Sequence, residues 1–254
     1  LFRSSEYDIV ANRAAGYELR NGEVKNQAWV SPALNTTADG ALYLSVLDMI
    51  KWEACLAERK LLSERSYKQM WTPVRLNNGK KERYGFGWAL RTVNGQGVIE
   101  HGGAWQGFKS FIARYPSAKL TVIAFANSSN TNPARLANGV AEVIDPQLKP
   151  KPIADAEPAF TADMRRALED VLKGKVDEKR FTPRVRQALS DPNDRLIAHL
   201  KTLGGILKFE LLEKTDMGDE MLYRYNVEFQ SMTVVLELGR DQQGRIGHFE
   251  LQPE

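Results

Sequence analysis

Apolar and polar positions alternate with two different periods along this chain, and the period switches partway through each half. Behind Ser45-Val46-Leu47-Asp48, the apolar residues Met49, Ile50, Trp52, Cys55 and Leu56 recur at helical spacing. Ser45 and Asp48 have the form of a capping box, so a helix is predicted to start there. Leu61-Leu62-Ser63 starts a second, shorter helix that ends before Thr72-Pro73. Upstream, residues 13–20 read as a short strand, closed by the hairpin turn signal Asn21-Gly22, with a polar stretch to Thr37.

From Tyr84 the pattern becomes that of strands. Tyr84–Leu90, Val98–Gly103, Phe108–Arg114 and Leu120–Ala126 are four short apolar runs separated by turn residues, which predicts an antiparallel meander. Tyr84, Phe86, Trp52 and Trp71 are expected in the core, and Trp88 beneath the sheet. Pro133–Ile144 reads as a closing helix. Pro146, Pro150 and Pro152 then stiffen a linker over 146–160. Beyond it, helices are predicted over Thr161–Leu172 and about 182–189, with a third from Asp191 to Leu203. Strands follow at 207–212, 221–229, 233–238 and 246–251. In the second of these, Met221, Tyr223, Tyr225, Val227 and Phe229 share one face. The expected fold class is therefore α+β, in two parts: 1–145, and a helices-then-four-strand domain over 161–254. The second part looks like small cystatin-like or cone-like α+β domains.

Composition narrows the function classes. The net charge is +3 over 254 residues, too little to imply a nucleic-acid partner, and no apolar run is long enough for a membrane span. One cysteine, Cys55, excludes a disulfide framework and a cysteine-based zinc site within the chain. The three histidines, His101, His199 and His248, are scattered without the spacing of a helical metal motif, so no metal or other cofactor is expected. His199 is expected to be structural and His248 exposed. The start, Leu1-Phe2-Arg3-Ser4-Ser5, has neither an initiator Met nor a signal peptide and is expected to reflect a truncation or a processed product.

One ordered set of motifs carries chemistry: Ala15-Gly16-Tyr17, the Ser45-x-x-Asp48 helix start, Tyr84-Gly85-Phe86-Gly87-Trp88, His101-Gly102-Gly103 followed by Gly107-Phe108, and Asn127 after a long strand. In this order they resemble the C-terminal part of the serine β-lactamase and penicillin-binding-protein family, in its class C and esterase-like branch. The resemblance covers about half the chain and implies part of a β-lactamase-like transpeptidase fold. In that family a Ser-x-x-Lys nucleophile, a Tyr-x-Asn or Ser-x-Asn shuttle, and a Lys-Thr-Gly or His-x-Gly strand meet at one cleft. The resemblance assigns the strand element to His101, Gly102 and Gly103. His101 would then hold a polar group over the substrate carboxylate or the shuttle. Ala104 would donate a backbone N–H to the oxyanion, and Trp105 would line the cleft with Gly102 and Gly103.

The other two elements are not written here. No Ser has Lys three residues later and no Tyr has Asn two residues later. Ser128-Ser129-Asn130 lies after the His-Gly-Gly strand, the reverse of the family order, and reads as a turn. Two functions stay open. One is the C-terminal part of a periplasmic or secreted serine hydrolase acting through an acyl-enzyme on a β-lactam, a D-Ala peptide or an ester. The other is a non-catalytic binding module on the same fold. The expected partners are a small-molecule or peptide substrate, and either a missing N-terminal segment or a second copy. Without one of these, the 84–126 strands are expected to leave apolar surface exposed.

Overall fold

The fold is described from a computed structural model, over residues 9–27, 40, 42–190, 200 and 202–253. Residues 28–37 of the polar stretch and residues 191–199 of the helix expected from Asp191, with His199 among them, lie outside these residues. In chain order the elements are β1 (Tyr17–Arg20), β2 (Glu23–Asn26), α1 (Val46–Ala57), α2 (Glu64–Met70), β3 (Val74–Arg75), β4 (Lys81–Glu82), β5 (Ala89–Val93), β6 (Gln96–Trp105), β7 (Phe108–Tyr115), β8 (Leu120–Ala126) and α3 (Pro133–Ile144). Then come α4 (Pro158–Leu172), α5 (Pro183–Leu189), β9 (Ile206–Asp216), β10 (Glu220–Phe229), β11 (Thr233–Asp241) and β12 (Ile246–Pro253). Two compact units result. One runs to Val74 and resumes over Arg83–Lys149; the other takes Arg75–Glu82 and everything from Pro150.

The first unit is built on the antiparallel meander β5-β6-β7-β8. Both of its faces are covered. On one, Val93, Val98, Ala113 and Tyr115 pack with Ala141 of α3 and with Leu148. On the other, Trp88 and Ile112 pack with Leu56 of α1 and Tyr67 of α2. Local chemistry starts α1 where the sequence indicates: Ser45 Oγ accepts from Asp48 N–H, and Asp48 Oδ2 accepts from Ser45 N–H at 3.0 Å. That reciprocal pair satisfies two helix-end donors. α1 and α3 are also pinned to the sheet by polar contacts. Arg114 of β7 donates through Nε to both Glu53 oxygens of α1, at 3.0 and 2.8 Å. Asn138 of α3 accepts from Arg91 and from Tyr115 Oη, each at 2.8 Å.

Three core assignments made from residue type do not hold. Phe86 is 64% exposed and Tyr84 and Trp52 are also exposed. Nor is Tyr84–Trp88 a strand. Gly85 is buried against α2, where an added Cβ would lie 2.0 Å from Met70 O. Gly87 takes φ +76°, and Gly85 N–H bonds to Trp88 O at 2.7 Å. The segment is therefore a tight bend that buries Trp88 and turns Phe86 outward. On α1 Leu56 is buried and Met49 and Glu53 are half-buried, which leaves Ile50 and Trp52 on the outer side.

In the second unit, α4 and α5 cover one face of the antiparallel sheet β12-β11-β10-β9. Met164, Leu168 and Val171 of α4 meet Tyr223, Tyr225, Val227 and Leu236 of the strands, all nearly sealed from solvent. Truncating Leu168 or Leu236 to Ala in so closed a site costs about 2–5 kcal/mol. The β3–β4 hairpin joins this unit through Lys81 N–H, which bonds to Met217 O at 2.7 Å, and through the Lys80–Glu220 ion pair.

Candidate active-site strand

β6 is paired on both sides only along its first half. β5 matches Gln96–Glu100, from Val93↔Gln96 to Ala89↔Glu100, and there it stops. The 84–88 bend is the cause, because it directs the chain towards α2 before β5 begins. β7 continues alongside β6 to the end, pairing His101↔Ile112, Gly102↔Phe111, Gly103↔Ser110, Ala104↔Lys109 and Trp105↔Phe108. Among the described residues, His101–Trp105 therefore has β7 on one side and no strand on the other. In an antiparallel ladder, half of the backbone groups of such a stretch point away from the partner. They form an edge that an extended peptide could join.

The candidate residues sit on this edge in sequence. His101, Gly102, Gly103 and Ala104 are exposed, and Trp105 is half-buried. Alternation puts His101, Gly103 and Trp105 on the face shared with Ile112, the α1–α2 side of the sheet. The glycines have a packing reason beyond leaving the edge bare. A Cβ on Gly103 would lie 2.6 Å from Ser110 Oγ, and one on Gly102 would lie 3.3 Å from the Phe111 ring. The β6–β7 turn is Gln106-Gly107, both at positive φ. It lies against Gly16 so closely that a Gly16 Cβ would be 1.9 Å from Gln106 O. The chain around Tyr17 is held in turn by Asn127, the residue after β8, with Tyr17 N–H to Asn127 O at 2.8 Å and Asn127 Nδ2 to Ala15 O at 3.1 Å. The scattered motif pieces Gly16-Tyr17, Gly107 and Asn127 thus form one packed joint at the end of the candidate strand. Ser128-Ser129-Asn130 is a turn, where Asn130 Oδ1 accepts from Leu19 N–H at 2.7 Å.

Sequence reasoning missed two neighbours. Tyr84 Oη lies 2.9 Å from His101 Nε2, and Ser110 stands opposite Gly103. Tyr84 enters the sequence reading only within the 84–88 motif and as an expected core residue, and Ser110 carries no signal, because one contact depends on the bend and the other on strand register. A cavity of about 490 Å³ beside α2, walled by Arg59, Tyr67, Lys68 and Trp71 among others, holds none of the candidate residues.

The chain has recognisable relatives among known proteins. The chain is 32% identical over 90 residues to penicillin-binding protein 4* of Bacillus subtilis (strain 168), covering 35% of this chain and 20% of that protein. It is 31% identical over 127 residues to a D-aminopeptidase of Gluconobacter oxydans (strain 621H), covering 49% of this chain and 23% of that protein. The chain therefore spans only about a fifth to a quarter of these relatives. Among solved structures, the octameric penicillin-binding protein homologue from Pyrococcus abyssi aligns with 19% identity and a TM-score of 0.49, over all of this chain and 55% of that one. A family model described as Beta-lactamase matches residues 6–145, which include every part of the packed joint and the whole of β6. With more than half of its length matched in this way, the chain belongs to the Beta-lactamase family.

Proposed function

We propose that the first unit is the His-Gly-Gly half of an acyl-transfer serine hydrolase domain, whose nucleophile and activating amine come from chain outside these 254 residues. The observation that carries this reading is the open edge of β6 beyond Glu100, with His101 at its start. A peptide-like substrate would add to that edge as a further strand, held by backbone hydrogen bonds. Ala104 N–H would serve the oxyanion, and His101 would act on the substrate carboxylate or the proton shuttle. Gly102, Gly103 and Trp105 would line the groove. Exposed apolar surface on both helical layers supports an incomplete domain. Leu47 and Ile50 of α1 and Leu136, Val143 and Ile144 of α3 are all exposed. Such a surface calls for a further layer from a preceding segment or a second copy.

The substrate class proposed from the family resemblance is a β-lactam, a D-Ala peptide or a simple ester, handled in the periplasm or outside the cell; relatives named as a penicillin-binding protein and a D-aminopeptidase support the first two. No helix among the described residues is long and apolar enough to cross a membrane. The test is labelling with a fluorescent penicillin, together with hydrolysis of nitrophenyl esters and D-aminoacyl amides. The longer gene product, bearing a Ser-x-x-Lys segment, is expected to react; the 254-residue chain alone is not. Stoichiometric acylation of the chain alone would refute the outside nucleophile. Inactivity of the longer product on all three substrates would leave the second reading, a non-catalytic binding module on the same fold.

A further inference from the structure

The outer face of the second unit carries a cluster that no sequence spacing announces. β11 and β12 pair Glu237↔Glu250 and Gly239↔His248. Glu237, Glu250 and His248 therefore stand on one face, two positions apart on adjacent strands. One donor atom from each lies within 4.8 Å of the other two. His248 Nε2 is 3.3 Å from Glu237 Oε1 and 3.7 Å from Glu250 Oε2.

The geometry of these approaches is informative. His248 Nε2 is closed off from solvent and makes no hydrogen bond, although two carboxylates lie beside it. A hydrogen bond needs the acceptor along the N–H axis. Metal ligands instead converge on a point between them. Tetrahedral legs of about 2.0–2.2 Å leave donor atoms roughly 3.3–3.6 Å apart, close to the two spacings from His248 Nε2. Gly239 makes the room. A Cβ there would lie 2.9 Å from His248 Cβ and 2.2 Å from Glu220 Oε2. Glu237 is 8% exposed and is held from behind by Arg224, whose Nε lies 3.6 Å from Oε2, the oxygen that His248 does not approach. Arg224 is itself paired with Glu213 at 3.2 Å. Such an outer partner fixes a ligating carboxylate in direction.

We propose that Glu237, His248 and Glu250 bind a divalent first-row cation across β11 and β12, with Zn²⁺ the best match to one imidazole and two carboxylates. Three protein ligands leave a further position for water. The ion would tie the edge strand β12 to β11.

The test uses Zn²⁺ itself, titrated calorimetrically into the 254-residue chain at pH 8 in a non-chelating buffer, with melting curves in Zn²⁺ and in EDTA. One equivalent should bind and raise Tm. His248→Ala and Glu250→Gln should each weaken binding at least about tenfold, in line with the cost of disturbing a metal site. Glu250 is half-exposed, so Glu250→Gln reports binding without threatening the fold. No saturable binding by the wild-type chain would reduce the cluster to an ion ladder and overturn the proposal. Binding left unchanged by both substitutions would overturn it equally.

Discussion

Tyr84 Oη sits 2.9 Å from His101 Nε2, joining a bend before β5 to the open half of β6. The rings meet edge-on, with centroids 6.2 Å apart. A phenol bound to Nε2 fixes the plane of the imidazole. Where the phenol donates, the neutral ring carries its proton on Nδ1. The exposed histidine is thereby oriented rather than free to rotate. In a catalytically competent longer product, His101→Ala is expected to lower kcat/KM by roughly tenfold to a thousandfold, the usual cost of one polar transition-state contact. Tyr84→Phe should cost less, because the imidazole itself stays in place and loses only its orienting partner. An unchanged kcat/KM in His101→Ala would demote the imidazole to a structural role.

The Glu53–Arg114 pair sets up a second expectation. Arg114 is 7% exposed, its guanidinium stacks over the Trp71 ring at 4.8 Å, and its Nε is held by both Glu53 oxygens. Thr121 Oγ1 also donates to Glu53 at 3.0 Å. Glu53→Ala would strand a buried cation, which costs about 3–5 kcal/mol. All five tryptophans precede residue 106, so urea unfolding followed by tryptophan fluorescence reads the first unit. A loss below about 1 kcal/mol would mean that solvent reaches Arg114 after all.

Legibility followed how local each signal was. The Ser45–Asp48 capping box, the Pro133 helix start and the Tyr223-Tyr225-Val227-Phe229 face are short-range patterns, and each recurs in the fold as read. The β5–β8 meander was also legible, because each strand is bounded by its own turn residues. The bend at 84–88 was not. Its shape is imposed by Met70 O of a different element, and an aromatic-rich run with glycines reads equally well as a strand. Of the candidate site, the strand was legible only through a family resemblance. The Tyr84 contact and the Glu237–His248–Glu250 cluster depend on register and bends, which no spacing along the chain encodes.

Gly16 gives a packing prediction. Its missing Cβ would fall 1.9 Å from Gln106 O, a backbone atom that cannot swing aside. Gly16→Ala must push the β6–β7 turn away from Tyr17 and disturb the end of the candidate strand. Overpacking of this kind costs about 1–3 kcal/mol, at the upper end where backbone is struck. The expected reading is a lower denaturation midpoint by tryptophan fluorescence, with weaker hydrogen-exchange protection at Trp105 and Phe108. A midpoint equal to wild type would show that the joint has slack.

Glu157 allows the pH dependence of the second unit to be worked out in sign. Glu157 is the residue before α4, and its carboxylate, instead of capping that helix, is bound by Lys214, by Tyr223 Oη at 2.8 Å and by Arg240 at 3.0 Å. Lys214 foremost, then Tyr223 and Arg240, pull its pKa from 4.5 down to about 2. A carboxyl with a depressed folded pKa favours the folded state wherever it is ionised in both states. Its contribution is therefore complete above about pH 4.5, shrinks as the unfolded chain begins to take up the proton, and vanishes as pH falls through about 2. Glu157→Gln keeps the shape but not the charge. The Tm gap between wild type and Glu157→Gln, followed by tyrosine near-UV circular dichroism, should hold steady from pH 7 to 5 and close between about 4.5 and 2. A gap that stays constant down to pH 2 would mean that the three donors recognise the shape of the side chain and not its charge.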